Sequence, residues 1–185
     1  MEPVDLRSER LLLDQPRPED ASLVVEELRE PEIEHVLTTP WPYERHHAEA
    51  FIERVVPQGW ESEREFTWAL RATGVDGPAG FAGMIGLRTE RPDLGYWTVR
   101  AHRGRGLTAE AVRLVADWWF ARDERPLAWE CVVGNAGSVG VARAAGFRYA
   151  GERPATAPYR DGSHPLSWHG VLEPGPRRRH EGWPA

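Results

Sequence analysis

Residues Arg103-Gly104-Arg105-Gly106-Leu107-Thr108-Ala109-Glu110 set two arginines and two glycines just ahead of an apolar-periodic segment. Residues of these types at this spacing can hold a pyrophosphate. The glycines let the main chain curl close to a ligand, the arginines add positive charge, and the first N–H groups of a following helix point into the same space. No good side-chain cap stands at that helix start: Gly104 and Arg105 precede it, and Thr108 has Ala111 three residues on instead of Glu or Gln. Bound oxygens could take those N–H groups. Water on them, with the glycines only shaping a tight turn, is an equal alternative for a glycine pair taken alone. The commoner nucleotide patterns are missing. The chain has no lysine and no Gly-x-x-x-x-Gly-Lys-Ser/Thr run, which excludes a Walker-type loop in its usual form. A dinucleotide fingerprint needs Gly-x-Gly-x-x-Gly after a first strand, which this loop lacks.

The elements that must carry the loop follow from periodicity. Residues 93–99 read as a strand leading into it, and Leu107, Ala111, Leu114, Val115 and Trp118 recur at helical spacing to about residue 122. Upstream, residues 10–14 read as a strand and 18–29 as a helix opened by proline and acidic residues. Residues 31–43 form a Pro-rich loop, and 44–56 a helix that Pro57 ends. Residues 66–72 and 80–88 read as a hairpin with its turn at 74–78. Downstream, Leu127, Trp129, Cys131 and Val133 alternate in a strand over 126–133, with Cys131 in the core. Asn135 as cap and Gly146 as stop bound a helix over 135–145, and strands at 147–150 and 166–172 close the sheet. Strands with one long helix crossing between the fourth and fifth make a mixed α/β (α+β) domain.

Several of these segments, taken together, resemble the GCN5-related N-acetyltransferases (GNAT). The motifs are Leu94-Gly95-Tyr96-Trp97, the loop from Arg103 to Ala111, and Asn135-Ala136-Gly137-Ser138 with Gly146-Phe147. The chain is similar in particular to the branch that acetylates ribosomal-protein N-termini (RimJ/RimL-like), over about residues 6–173. Ser8 to Leu13 matches the first strand, Pro18 to Ala21 the first helix start, and Pro40-Trp41-Pro42-Tyr43 the substrate loop. The resemblance implies a mostly antiparallel sheet of six to seven strands flanked by about four helices, with strands four and five splayed apart. It also implies acetyl-CoA as donor substrate and an amine as acceptor.

Acetyl transfer from a thioester to an amine needs a held donor, a neutral amine and stabilisation of charge on the thioester oxygen and then on sulfur. The resemblance places Trp97, Thr98 and Val99 along the pantetheine arm. It leaves Arg103, Gly104, Arg105, Gly106, Leu107 and Thr108 around the pyrophosphate. Asn135 and Ser138 face the thioester, with Ser138 as the group that protonates or hydrogen-bonds the departing thiolate. Many relatives use a tyrosine four residues before Gly-Phe for that task; here the position is Ala142. Read without the resemblance, Asn135 is a helix cap and Ser138 a first-turn hydroxyl. Asp93 stands where the family often has a glutamate and is the expected base, with a solvated turn carboxylate as the equal alternative. Glu152, Asp161, His46, His47 and His102 are further titratable candidates. Trp41 and Tyr43 are the expected acceptor-pocket walls, followed by Trp60 and Trp168. Glu34, Glu44 and Glu49 could attract a cationic amine.

The match departs in two places. Thr108 replaces a usual Gly or Ala at the end of the phosphate loop, narrowing it while adding a hydroxyl donor. Gly140 and Ala144 stand where the branch commonly carries Arg and Lys, so two cofactor-side charges are missing. A longer acyl-CoA or an acyl-tRNA donor, or a catalytically silent acyl-CoA-binding module, therefore stand beside acetyl transfer by direct attack in a ternary complex.

Composition bounds the rest. A chain of 185 residues with 41% hydrophobic content suits one domain, expected over residues 1–173. Residues 174–185 are expected as a disordered tail with nothing to bury. A net charge of −6 argues against a nucleic-acid partner. Cys131 is the single cysteine, so no intramolecular disulfide forms. No signal-like or membrane-spanning segment stands out, which makes the expected location cytoplasmic. No metal site is expected, since adjacent His46 and His47 lack i, i+4 ligand spacing. The expected partners are an acyl-CoA and an amine acceptor, with a homodimer as the oligomer to test and no membrane.

Overall fold

The computed structural model describes residues 1–74 and 80–184. Beyond Gly74, the turn expected at 74–78 lies outside the described residues. The described strands are β1 (Leu6–Arg7), β2 (Leu11–Asp14), β3 (Glu65–Ala72), β4 (Phe81–Arg88), β5 (Asp93–Thr98), β6 (Leu127–Val132), β7 (Arg148–Pro154) and β8 (Leu166–Leu172). They form one sheet in the order β1-β2-β3-β4-β5-β6-β8-β7. That is one strand more than expected, because Leu6 and Arg7 pair with Leu13 and Leu12 to add an edge.

The helices are α1 (Ala21–Leu28), α2 (Pro31–Glu34), α3 (Arg45–Ala50), α4 (Val56–Ser62), α5 (Leu107–Phe120) and α6 (Ala136–Ala145). Alternation along the strands sends side chains to two faces. Trp68, Leu70, Ile85, Leu87 and Leu94 pack with residues of α4, α5 and α6. Ala69, Phe81 and Met84 pack with α1 and α3 on the other face.

Two expectations fail locally, the first being the loop over 31–43, whose opening residues fold as α2. Pro57 does not end the second helical segment. A π-helical turn at Phe51–Val55 separates α3 from α4, with the Val56 N–H on the Phe51 carbonyl. Pro57 then falls in the first turn of α4, where its missing N–H is tolerated. The tail makes contacts of its own. Residues 173–184 hold no helix or strand, yet Arg177 and Trp183 are partly buried. Arg177 pairs with Asp117 and lies 5.3 Å over the Phe120 ring. Trp183 packs against Trp129 and Tyr149 with ring centroids at 5.6 and 5.7 Å. An indole and a guanidinium stem supply the apolar surface that the Pro- and Arg-rich composition hides.

One feature of the sheet matters most for function. Every strand pair is antiparallel except β5 with β6, which the crossover through α5 makes parallel. That pair registers only at Asp93 and Ala128. Past this point the two strands part, and α5 and α6 begin at the edges of the opening. Among the described residues, no helix is long and apolar enough to cross a membrane, and no cluster of His, Cys, Asp and Glu could hold a metal ion.

Candidate active site

Gly104 and Gly106 both take left-handed backbone, with φ of 72° and 75°, a conformation that costs residues with a Cβ roughly 1–2 kcal/mol. Gly106 is the N-cap of α5, and no side chain caps the helix. Its first N–H groups and the positive end of its dipole therefore face outward, which suits an anion. Arg103 extends beside them, donating to the Thr98 carbonyl at 3.2 Å and pairing with Glu32 of α2 at 2.9 Å. Behind the loop, Glu110 accepts from Ser8 and Arg10, while Arg10 also donates to the Arg105 carbonyl at 3.2 Å. The first strands thus brace the loop from outside.

A cleft of about 590 Å³ opens where β5 and β6 part. Its walls are Tyr96 to Thr98 on one side, the loop and start of α5 at one end, and Asn135 to Ser138 with Gly140, Val141 and Ala144 on the other. Ile33, Val36 and Leu37 close it from the α2 side. Strand alternation decides which main-chain groups reach it. The Val99 N–H bonds Ala82 across β4, and a Cβ placed on Gly83 would fall 2.1 Å from the Trp97 carbonyl. Both groups face β4, so Tyr96 and Thr98 turn theirs toward the cleft.

At the far end, the Asn135 side chain accepts the Ser138 N–H at 3.0 Å and caps α6. Ser138 Oγ lies 3.2 Å from Trp129 Nε1 and 3.1 Å from Tyr96 Oη. Burial pushes the Cys131 thiol up to about 12, so it stays protonated and inert. On the opposite face of the sheet, Gly95 is exposed and a Cβ there would meet nothing within 4 Å. Two steps along β6 from Ala128, on that same face by strand alternation, Glu130 accepts from the Thr156 hydroxyl at 2.6 Å and sits 3.4 Å from His169 Nδ1.

An acetyltransferase (GNAT) domain model matches residues 10–148. The chain belongs to this acetyltransferase family. Solved structures agree in fold. A RimL ribosomal L7/L12 α-N-protein acetyltransferase in complex with coenzyme A superposes with a TM-score of 0.75 at 14% identity, covering 92% of this chain and 98% of that one. A ribosomal-protein-S5-alanine acetyltransferase from Vibrio fischeri gives 0.74 at 15% identity over 95% and 99%. The microcin C7 self-immunity acetyltransferase, in complex with acetyl-CoA and AMP, gives 0.73 at 16% over 90% and 93%. No curated protein matches in sequence.

Within this GNAT domain the expected donor residues divide. Trp97, Thr98, Arg103, Gly104, Gly106, Leu107, Thr108, Asn135 and Ser138 line the cleft together. Val99, one residue past β5, does not: its side chain is buried in the core on the α1 face, and its main chain is engaged by Ala82 and His102. Arg105 is drawn away to His102 Nδ1 at 3.0 Å. The Thr108 hydroxyl has a partner within the wall. It is bonded to Thr98 Oγ1 at 2.6 Å and ties the helix start to the strand.

The acceptor residues fare differently. Asp93 sits where β5 and β6 are still paired, with both oxygens taken by Arg88, which leaves it poorly placed to accept a proton. Tyr43 is core, 4% exposed, and burial pushes its phenol up to about 12. Trp60 is core as well, at 1%. Trp41 is half-buried with Arg160 5.8 Å over its ring, and Arg160 also donates to the Glu34 carbonyl. Sequence reasoning missed Tyr96 and Glu130. The register that puts Tyr96 on the cleft and Glu130 on the Gly95 face of the sheet can be counted from Asp93 only once its pairing with Ala128 is known.

Proposed function

We propose that the protein transfers the acetyl group of acetyl-CoA to a primary amine, of a small molecule or a protein N-terminus, by direct attack in a ternary complex. The observation that carries this reading is the uncapped, glycine-entered start of α5 opening into a cleft that ends at Ser138. The residues fit the donor: helix-start N–H groups and Arg103 suit the pyrophosphate, and the cleft-facing main chain of Tyr96 and Thr98 suits an amide-bearing arm. Structural relatives in complex with coenzyme A or acetyl-CoA support the same donor.

In this reading the thioester lies between Ser138 and the opening over Gly95. The amine enters over Gly95, and its lone pair forms the C–N bond as the C–S bond breaks with its pair on sulfur. Ser138 donates a hydrogen bond to that sulfur. The nitrogen loses one proton to water in the opening, and sulfur gains one to become the free thiol. We assign Glu130, in place of Asp93, as the carboxylate on the amine's side of the sheet, because its oxygens meet the neutral N–H and hydroxyl of Thr156, whereas Asp93 is held in an ion pair by Arg88. Trp41 and Arg160 stand at the acceptor entrance.

A longer acyl group is the second reading, favoured by the apolar wall of Ile33, Val36, Leu37 and Val141 and the small Gly140 and Ala144. Calorimetric titration with acetyl-CoA and longer acyl-CoAs, followed by thiol release with a panel of amines, separates the two. Arg103→Ala should weaken acetyl-CoA binding about tenfold, the scale of one charge-assisted contact. An unchanged dissociation constant would remove the loop from the donor site. Binding without turnover on any amine would make the protein an acyl-CoA-binding module instead.

A further inference from the structure

Three elements send polar side chains to one point at the inner end of the cleft. Trp129 of β6 donates its indole N–H to Ser138 Oγ at 3.2 Å. Tyr96 of β5 meets the same oxygen at 3.1 Å and also lies 3.1 Å from the Ser138 carbonyl. Ser138 itself is held in the first turn of α6 by the Asn135 cap at 3.0 Å. Tyr96 and Ser138 both line the cleft, and Trp129 is 2% exposed.

The donor and acceptor inventory restricts what this cluster can do. An indole N–H only donates, and here Trp129 gives its proton to one Ser138 lone pair. A serine hydroxyl has a single proton, and here it points at Tyr96 Oη while Tyr96 donates to the Ser138 carbonyl. Both hydroxyls can rotate, which gives the pair a second arrangement. Tyr96 then donates to Ser138 Oγ, and the Ser138 proton is released toward the cleft. The Ser138 carbonyl loses little, since it lies inside a helix whose i+4 N–H remains its partner.

We infer that Tyr96 and Trp129 are positioning residues that aim the Ser138 O–H at the departing sulfur, Tyr96 turning from acceptor to donor as negative charge gathers there. The inference rests on the reading of Ser138 as the group that meets the leaving sulfur. Two donors into one oxygen polarise its own O–H, and a hydrogen bond to an anion gains most from such a chain. No proton leaves Ser138, Tyr96 or Trp129. The C–S pair departs on sulfur, Ser138 holds it by hydrogen bond, and the thiolate takes its proton from water. Burial keeps the Tyr96 phenol above its ordinary range, with its bond to Ser138 acting the other way, so Tyr96 remains a neutral donor throughout. Trp183 of the tail packs edge-on against Trp129 and limits the freedom of that indole.

Thiol release from acetyl-CoA, with the best amine of the panel or with water as acceptor, tests this in Tyr96→Phe, Ser138→Ala and the double variant. Tyr96→Phe keeps the ring and should lower kcat about tenfold, with the acetyl-CoA dissociation constant changed less than about twofold. In the Ser138→Ala background the same change should cost nothing further. Trp129→Phe should repeat the pattern, with thermal melting confirming that each variant is folded. Wild-type kcat in Tyr96→Phe alongside a slowed Ser138→Ala overturns the clamp and leaves the role of Ser138 standing. Wild-type kcat in Ser138→Ala overturns both. Losses that add in the double variant show Tyr96 acting apart from Ser138, and overturn the clamp as well.

Discussion

On the donor side, two left-handed glycines and the first turn of α5 offer main-chain N–H groups whose positions are set within a few residues of one another. On the proposed acceptor side, Trp41 meets Arg160, and Arg160 meets the carbonyl of Glu34 at the end of α2 across a separation of 126 residues. Main-chain recognition is insensitive to side-chain identity but intolerant of backbone change. Side-chain recognition on loops is the reverse, and loops carry most variation in binding. One domain can therefore keep its donor while its acceptor differs.

This contrast can be broken most directly at Gly83. Its φ is 140° and an added Cβ would meet the Trp97 carbonyl at 2.1 Å, so Gly83→Ala should destabilise the fold by about 3 kcal/mol, read as a shift in the denaturant midpoint. A midpoint equal to wild type would mean that the β4–β5 wall does not depend on this close approach. Acceptor-side loop residues should show no such sensitivity.

Next in size is Thr108→Val, which removes the hydroxyl pair with Thr98 inside the donor wall. A loss of about 1 kcal/mol is expected, together with weaker acetyl-CoA binding, while Thr108→Ser restores both. If Val were neutral in stability and binding, the hydroxyl would have no part in joining α5 to β5.

The brace behind the loop gives a pH signature. Burial raises the pKa of Glu110, but the hydrogen bonds from Ser8 and Arg10 and the Arg10 charge outweigh it, leaving the folded value below the ordinary 4.5. A depressed carboxylate stabilises fully above its unfolded pKa, and that stability is lost as pH falls through the folded value. Glu110→Gln should lower stability at pH 7 and lose less on acidification than wild type. Parallel curves for the two proteins between pH 7 and 3 would contradict the assignment.

The smallest structural effect belongs to the acceptor side. Arg160→Ala removes an exposed guanidinium and should change stability by no more than about 0.5 kcal/mol. Acetyl-CoA affinity should stay at the wild-type value while the acceptor KM rises several-fold. A change in donor affinity of equal size would erase the division between the two sides.

Much of the donor side was readable in the chain. Gly104, Gly106 and the lack of a capping side chain before α5 are visible at a glance, and the Asn135 cap and Gly146 stop bound α6 as observed. Other features read wrongly. Val99 looked like part of the pantetheine wall but belongs to the core on the α1 face, with its main chain taken by Ala82 and His102. Tyr43 and Trp41 stand two residues apart, yet one is buried and the other half-buried. A Pro-rich loop has no period from which to tell them apart. The tail reads as solvated from composition, and the Trp129 and Tyr149 rings that Trp183 packs on come from distant strands.

By itself, the sequence determined what neighbours within a helical turn decide: glycine backbone, the apolar stripe of α5, the cap of α6 and the crossover that makes β5 and β6 parallel. Tertiary structure alone decided that the parallel pair registers only at Asp93 and Ala128, that Tyr96 reaches Ser138, and that Arg88 claims Asp93. Those outcomes depend on register between distant strands, where a one-residue slip sends every side chain to the opposite face. Local propensity carries no information about that choice, and the Arg103 to Glu110 loop opens into a cleft only because the strands part in front of it.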